Sequence, residues 1–304
     1  MSFTSTPANA EATLDGSHAA TIARVDAVFR ESGLNGHLHV LDIDSGAGIA
    51  VRGDEVCECA STGKVPILVA LMRAVATGAL SLDEQIDVPV GDRTDGATGL
   101  SSMSHPARLA LGDIAHLMIA ISDNHATDLV LERVPPSQVT AAMRELGLTV
   151  TTLDMTIREF FARLEALAEV DQWPEVSAWR TTAAEMCRLL QAIWQDEAAP
   201  PQLCEQMRMM LRCCVTSNGL TAELPLAVQT SSGRKTGTLV AIDRQTGAGM
   251  IMRNEVGVVE YPDGRRYAVA VFTREDGADL ATRVSTSTRA IGAAVRVALD
   301  GLRL

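Results

Sequence analysis

The run Cys59–Ala70, CASTGKVPILVA, sets one ammonium at the mouth of an apolar segment. A lysine drawn into such surroundings is costly unless it is hydrogen-bonded, paired or neutral, and burial lowers its pKa toward that of a usable base. Ser61 precedes Lys64 by one helical turn, so on a helix starting here the two side chains share a side. Alone, the pattern suits an N-cap serine followed by a snorkelling lysine equally well. The apolar spacing continues to about Thr77, and Gly78 supplies the stop.

Upstream, TIARVDAVFRESG places Ile22, Val25, Val28 and Phe29 on one face of an amphipathic helix, preceded by a polar tail over residues 1–18. HLHVLDIDSG and GIAVRGD, around Asp44-Ser45-Gly46, predict a hairpin. Downstream, residues 81–111 are polar and mixed, and a loop of that length in a packed chain points to function. LGDIAHLMIAISDNHATDLVLERV predicts helix, break, helix, with Asp113 and Asp123 as caps. PSQVTAAMRELG predicts a helix with Ser137 as N-cap and Gly147 as stop, and TTAAEMCRLLQAIW and PQLCEQMRMMLRCC predict two more. VQTSSGRKTGTLVAI, GMIMRNEVGVVEY and RRYAVAVFTRE then carry strand signals, with Pro262-Asp263-Gly264 as a turn, before a last helix over about 279–302. The expected class is α/β, more closely α+β. An antiparallel sheet built from residues 19–60 and 215–304 is flanked by helices, a helical subdomain over 61–214 is inserted, and a cleft lies between them.

Composition narrows the function. The chain has 304 residues with 47% hydrophobic content, enough for a full core. A net charge of -12 and a pI near 5.0 oppose nucleic acid and anionic membranes as partners. MSFTSTPANAEATLDGSHAAT has neither a basic n-region nor a continuous apolar h-region, so cytoplasmic residence is expected. Cys57, Cys59, Cys187, Cys204, Cys213 and Cys214 are irregularly placed, which predicts reduced thiols rather than a disulfide frame, and no metal or cofactor is expected.

Two further motifs bear on the first. Ser122-Asp123-Asn124 falls at the break between two helices, and Lys235-Thr236-Gly237 falls in a predicted strand. A serine-lysine helix start, a Ser-Asp-Asn break and a strand-borne Lys-Thr-Gly, in that order, form a catalytic set. Over roughly residues 45–275 the chain resembles class A β-lactamases and related penicillin-recognising serine acyl-transfer enzymes. The resemblance implies the β-lactamase/transpeptidase-like fold, with Ser61 as nucleophile, Lys64 as its base and Ser122 as proton relay to the leaving group. It further implies Asn124 as a substrate-carbonyl ligand that also steadies Lys64, with Lys235 and Thr236 as holders of an anionic substrate group. Gly237 would allow close approach, and the N–H groups of Thr238 and Ser61 would form the oxyanion hole. Arg253, on the neighbouring strand, is expected either to support carboxylate binding or to be an exposed strand charge.

One part of the pattern is missing. Class A enzymes carry an omega-loop glutamate that activates the deacylating water, whereas here Leu153-Asp154 is followed by Met155-Thr156-Ile157-Arg158-Glu159-Phe160-Phe161. Ile157, Phe160, Phe161, Leu164 and Leu167 recur at helical spacing, so a helix is predicted instead, with Glu159 and Glu165 as candidate replacements or as a solvated face. The expected activity is therefore acyl transfer through a covalent acyl-enzyme with a small amide or ester (an amidase, esterase or transacylase, with an amine as a possible acceptor), in cytoplasmic metabolite tailoring. Hydrolysis of β-lactam antibiotics and a non-catalytic, acylated ligand sensor are the alternatives.

Overall fold

Segments such as Tyr267–Phe272, YAVAVF, are apolar at every position and must be covered on both faces. The chain is seen in a computed structural model that describes residues 18–168, 179–216, 219–242, 249–276 and 280–303; most of the expected polar tail lies outside them. Strands β1 (Asn35–Asp42), β2 (Gly48–Val51), β8 (Gly233–Ile242), β9 (Gly249–Glu260) and β10 (Arg266–Asp276) form one antiparallel sheet, in the order β2-β1-β10-β9-β8. Alternation along β10 sorts the two faces. Tyr267, Val269 and Val271 join Val25 and Phe29 of α1 (Ala19–Glu31) and Ile291, Val295 and Leu299 of α10 (Leu280–Arg303). Ala268, Ala270 and Phe272 face the other way, into the larger core, with Met186 and Leu190 of α7 (Ala183–Trp194).

That larger core is organised by α2 (Lys64–Ala76), whose residues Val65–Met72 are all buried, as expected of a helix apolar on every side. Around it pack α3 (Leu111–Ala120), α4 (Asn124–Arg133), α5 (Pro136–Glu145) and α8 (Pro201–Arg212). Among the described residues no helix is long and apolar enough to cross a membrane.

The structure amends several local expectations. The polar stretch after residue 81 is closed at its base by a two-stranded pairing of β4 (Gln85–Val88) with β5 (Ala107–Ala110). A small second sheet, β3 (Cys57–Glu58), β7 (Trp179–Thr181) and β6 (Thr152–Leu153), interrupts the helical region. The stretch before Gly233 is not strand: Leu226–Ser231 forms a short helix, α9, entered through Pro225. Ser137 lies inside the first turn of α5, because Pro136 takes the first helical position that its missing N–H favours and Pro135 becomes the N-cap. Asp113 likewise sits in the first turn of α3 without capping it, whereas Asp123 caps α4 by accepting from the Ala126 N–H.

Candidate active site

The Ser61 turn is held from two sides. Ala60–Gly63 forms a tight 3-10 turn leading into α2, and it begins with Ala60 in the left-handed region at φ +46°. Below it, the Asn254 side-chain amide on β9 donates to the carbonyls of Glu58 (2.8 Å) and Cys59 (3.1 Å), while its oxygen accepts from the Thr273 N–H (3.2 Å). Beside it runs β8. A side chain on Gly237 would lie 2.9 Å from both the Cys59 carbonyl and the Ser61 nitrogen, so only glycine lets the strand come this near. Cys59 is two residues from Ser61, yet burial raises its thiol well above the usual range, which leaves the serine hydroxyl as the nucleophile available in the turn.

Ser122 stands at the helix break between α3 and α4, also left-handed at φ +59°. Strain of this kind survives only where neighbours fix it. Here Asp123 does so: fully buried, it caps α4 and accepts from the Leu100 N–H (2.5 Å) and the Ser101 hydroxyl (3.2 Å). The break turns Ser122 toward both lysines. Lys64 donates to the Ser122 carbonyl (2.7 Å), the Ser122 hydroxyl (3.1 Å) and Asn124 Oδ1 (2.9 Å). Lys235 donates to the same hydroxyl (3.0 Å) and to the Thr236 carbonyl (2.7 Å).

Both lysines are fully buried. Desolvation and then the Lys235 ammonium push Lys64 well below the ordinary lysine range, and Asp123 and Asp128 offset only part of this. Lys235 is brought down to about 8, mainly by desolvation; Cys214 raises it and Arg253 lowers it. The Lys235 ammonium thus acts on Lys64, while Arg253 is the cation that acts on Lys235. Arg253 is not an exposed strand charge. It is buried against Glu255 (3.3 Å) and donates to the Thr238 hydroxyl (2.6 Å), behind β8. The Thr236 hydroxyl lies 2.6 Å from that of Thr216.

The cleft beside Ser61 is largely apolar. The helix expected after Thr156 is present as α6 (Ile157–Ala168); Asp128 anchors its start by accepting from the N–H groups of Ile157 (2.8 Å) and Arg158 (3.0 Å). Ile157, Phe160 and Phe161, with Trp179 and Leu239, line an open cleft that also touches Glu58, Ala60, Ser61, Asn124 and Thr238. Neither candidate glutamate lines it. Glu159 turns back to accept from the Thr156 N–H (2.8 Å) and hydroxyl (2.9 Å), and both Glu159 and Glu165 are exposed.

The structure thus brings together Ser61, Lys64, Ser122, Asn124, Lys235, Thr236, Gly237 and Thr238, with Arg253 as a supporting layer. A model of the Beta-lactamase enzyme family matches residues 20–300. The chain belongs to the beta-lactamase enzyme family. By family and fold it is a serine hydrolase of the beta-lactamase type. It is 31% identical over 277 residues to the beta-lactamase regulatory protein BlaB of Streptomyces cacaoi, across 80% of this chain and 85% of that protein. Among solved structures it is similar to the beta-lactamase of Sphaerobacter thermophilus DSM 20745 (TM-score 0.74, 26% identity, 93% of this chain and 95% of that one). It is also similar to an ancestral class A beta-lactamase (TM-score 0.76, 25% identity, 92% and 99%).

Sequence reading did not single out Glu58, Asp128, Trp179 or Asn254. Asn254 left one sequence signal, a neutral amide between Arg253 and Glu255 in a strand whose flanks are apolar, and such a group must find partners once buried. The other three acquire their places only through tertiary contact.

Proposed function

We propose that this member of the family transfers acyl groups through a covalent ester on Ser61, taking a small amide or ester as substrate. The observation that carries the proposal is the Ser122 hydroxyl held between two buried lysines, one of them depressed well below its ordinary pKa. In the acylation step the neutral Lys64 amine takes the Ser61 hydroxyl proton as Ser61 Oγ bonds to the acyl carbon. Negative charge gathers on the carbonyl oxygen, facing the Ser61 and Thr238 N–H groups. The tetrahedral species collapses by breaking the bond to the leaving group, which receives its proton through the Ser122 hydroxyl. Asn124 steadies Lys64 and contacts the substrate amide, and Lys235 with Thr236 holds an anionic substituent.

The next step sets this chain apart. Where a carboxylate would activate water, α6 presents Ile157, Phe160 and Phe161, and both Glu159 and Glu165 lie away from the cleft lining. With neither of those glutamates at the cleft, and Glu58 the carboxylate of its lining among the described residues, we read water as a weak acceptor and the acyl-enzyme as persisting until an amine arrives. Intact-mass spectrometry after mixing with β-lactams, esters and D-amino-acid amides, with and without an amine, tests this. The expected result is an adduct on Ser61 that an amine discharges, and that Ser61→Ala abolishes. Rapid hydrolysis with no adduct would instead make the chain an antibiotic-hydrolysing β-lactamase. A second reading, an acylated sensor, draws support from the regulatory name of the Streptomyces cacaoi relative. Its signature is an adduct that neither water nor any amine removes.

A further inference from the structure

We infer that the cleft beside Ser61 selects acyl groups that end in an aromatic ring, with Phe160, Phe161 and Trp179 as the surface that receives the ring. The inference rests on the acyl-transfer reading of Ser61, which it extends to substrate class.

The chain carries only five Phe and three Trp, yet two of the Phe and one of the Trp line this one cleft, together with Ile157 and Leu239. Aromatic faces left open beside a nucleophile favour an apolar occupant, and a ring gains more there than an alkyl group of like size through offset or edge contacts. A charged occupant is not called for. Among the described residues the lining has no basic side chain, and its acidic residue, Glu58, already interacts within the protein.

The three rings are held from behind. Phe160 and Phe161 are half-buried, stand 5.9 Å apart between ring centroids and rest on the larger core, on a helix whose start Asp128 anchors. Trp179 is tied to the nucleophile turn itself. Its carbonyl accepts from the Cys59 N–H at 2.8 Å, its indole N–H donates to the Met155 carbonyl at 2.8 Å, and its six-membered ring covers Gly63, where a side chain would come within 2.6 Å of it. A surface fixed in this way needs little ordering when a ring arrives. The cleft also belongs to one half of the substrate. Of the reacting groups among the described residues it touches Ser61, Asn124 and Thr238, whereas Ser122, Lys235 and Thr236 do not line it. On the acyl-transfer reading the first three meet the acyl carbon and its neighbours, and the other three serve the leaving group and an anionic substituent. The ring is therefore carried on the half that stays on Ser61.

The test uses the para-nitrophenyl esters of phenylacetate, cyclohexylacetate and acetate. In each, Ser61 Oγ bonds to the acyl carbon as the bond to para-nitrophenolate breaks, and the serine proton passes to Lys64. The nitrophenolate burst reports acylation, read relative to the hydrolysis of the same ester in buffer. The phenylacetyl ester should acylate about 30-fold faster than the acetyl ester and about threefold faster than the cyclohexylacetyl ester. Phe160→Leu together with Phe161→Leu should bring the phenylacetyl and cyclohexylacetyl rates together. Leu239→Asn, on the edge strand β8, should lower the ratio of phenylacetyl to acetyl rates about fivefold. A phenylacetyl ester that acylates the unaltered protein no faster than the acetyl ester, or more slowly than the cyclohexylacetyl ester, would overturn the inference, as would ratios that the variants leave unmoved. Binding of N-methylphenylacetamide and N-methylcyclohexylacetamide to Ser61→Ala, followed by calorimetry, reads the same cleft without chemistry. Tighter binding of the phenyl compound, lost on adding Phe160→Leu and Phe161→Leu, upholds the site even if no ester labels Ser61, in which case only the acyl-transfer reading falls. Equal binding of the two amides refutes the site whatever the esters do.

Discussion

Ser122 and the two lysines that share its hydroxyl set the pH behaviour of the site. On the proposed mechanism acylation needs Lys64 neutral and Lys235 charged; burial and the Lys235 ammonium push Lys64 well below the ordinary lysine range, and Lys235 is brought down to about 8. With an anionic substrate the rate should therefore rise as Lys64 loses its proton and fall as pH passes about 8, where Lys235 becomes neutral. A stopped-flow pH profile checks this, and a substrate without the anionic group should lose the alkaline limb. Replacing Lys235 by methionine should carry the acidic limb to higher pH, since Lys64 then keeps its proton longer once a like charge is gone. The same variant bears on stability. An unfolded lysine titrates near ~10.4, so between about 8 and that value the unfolded chain binds more protons and stability climbs with pH; below about 8 the whole penalty is present. Lys235→Met should remove a penalty of order 3 kcal/mol at neutral pH, less the two hydrogen bonds given up, and flatten that climb in urea titrations at successive pH values. Ser61, Lys64, Ser122 and Lys235 were all legible in the sequence because their types and order are distinctive, and the environment of Lys64 followed from the apolar run beside it. Glu58 was not legible: nothing in CECAS tells which side of a two-residue strand will face a cleft.

At the level of elements, α6 depends on a residue nearly thirty positions earlier. Asp128 is buried and accepts from the Thr94 hydroxyl (2.7 Å) as well as the two N–H groups that open α6. Asp128→Ala removes a charged acceptor shared by three donors and should cost ~2–4 kcal/mol in unfolding free energy. It should also speed amide exchange over 157–168 more than over α2, since α6 loses its start while α2 does not; uniform exchange would mean that Asp128 serves the fold at large. Asn254→Ala should leave the sheet paired but loosen the Ser61 turn, lowering the acylation rate by ~10–100-fold with little change in substrate binding, measured by separating burst rate from its concentration dependence. The helical spacing of Ile157, Phe160 and Phe161 revealed α6 in the sequence, whereas its tether depends on two chain segments meeting. The same distinction explains the misread stretch before Gly233. Val228 and the serines and threonines around it have strand character, yet Pro225 starts a helical turn there and Val228 is buried in the core with Leu220 and Leu224. Ser137 was misjudged for a different reason, since Pro135-Pro136 already carried the stronger helix-start signal.

Across the whole molecule, the sheet's hydrophobic pattern was readable from sequence because its strands alternate or are apolar throughout, but the strand order was not. Strand β1 pairs on one side with its hairpin neighbour β2 and on the other with β10, Val40 lying opposite Val269. This places a delay in biosynthesis. When β1 leaves the ribosome, its second partner is more than two hundred residues from being made, and Leu38 and Val40 stay uncovered until β10, α10 and α1 can close over them. Long-range pairing of this kind folds slowly and exposes aggregation-prone edges meanwhile. A permuted chain that joins residue 303 to residue 18 through a short flexible linker and opens at Asp54–Glu55 would make β9, β10, α10, α1, β1 and β2 consecutive. It should reach the native state faster from denaturant than the natural order of the same segments, and with less loss to aggregates.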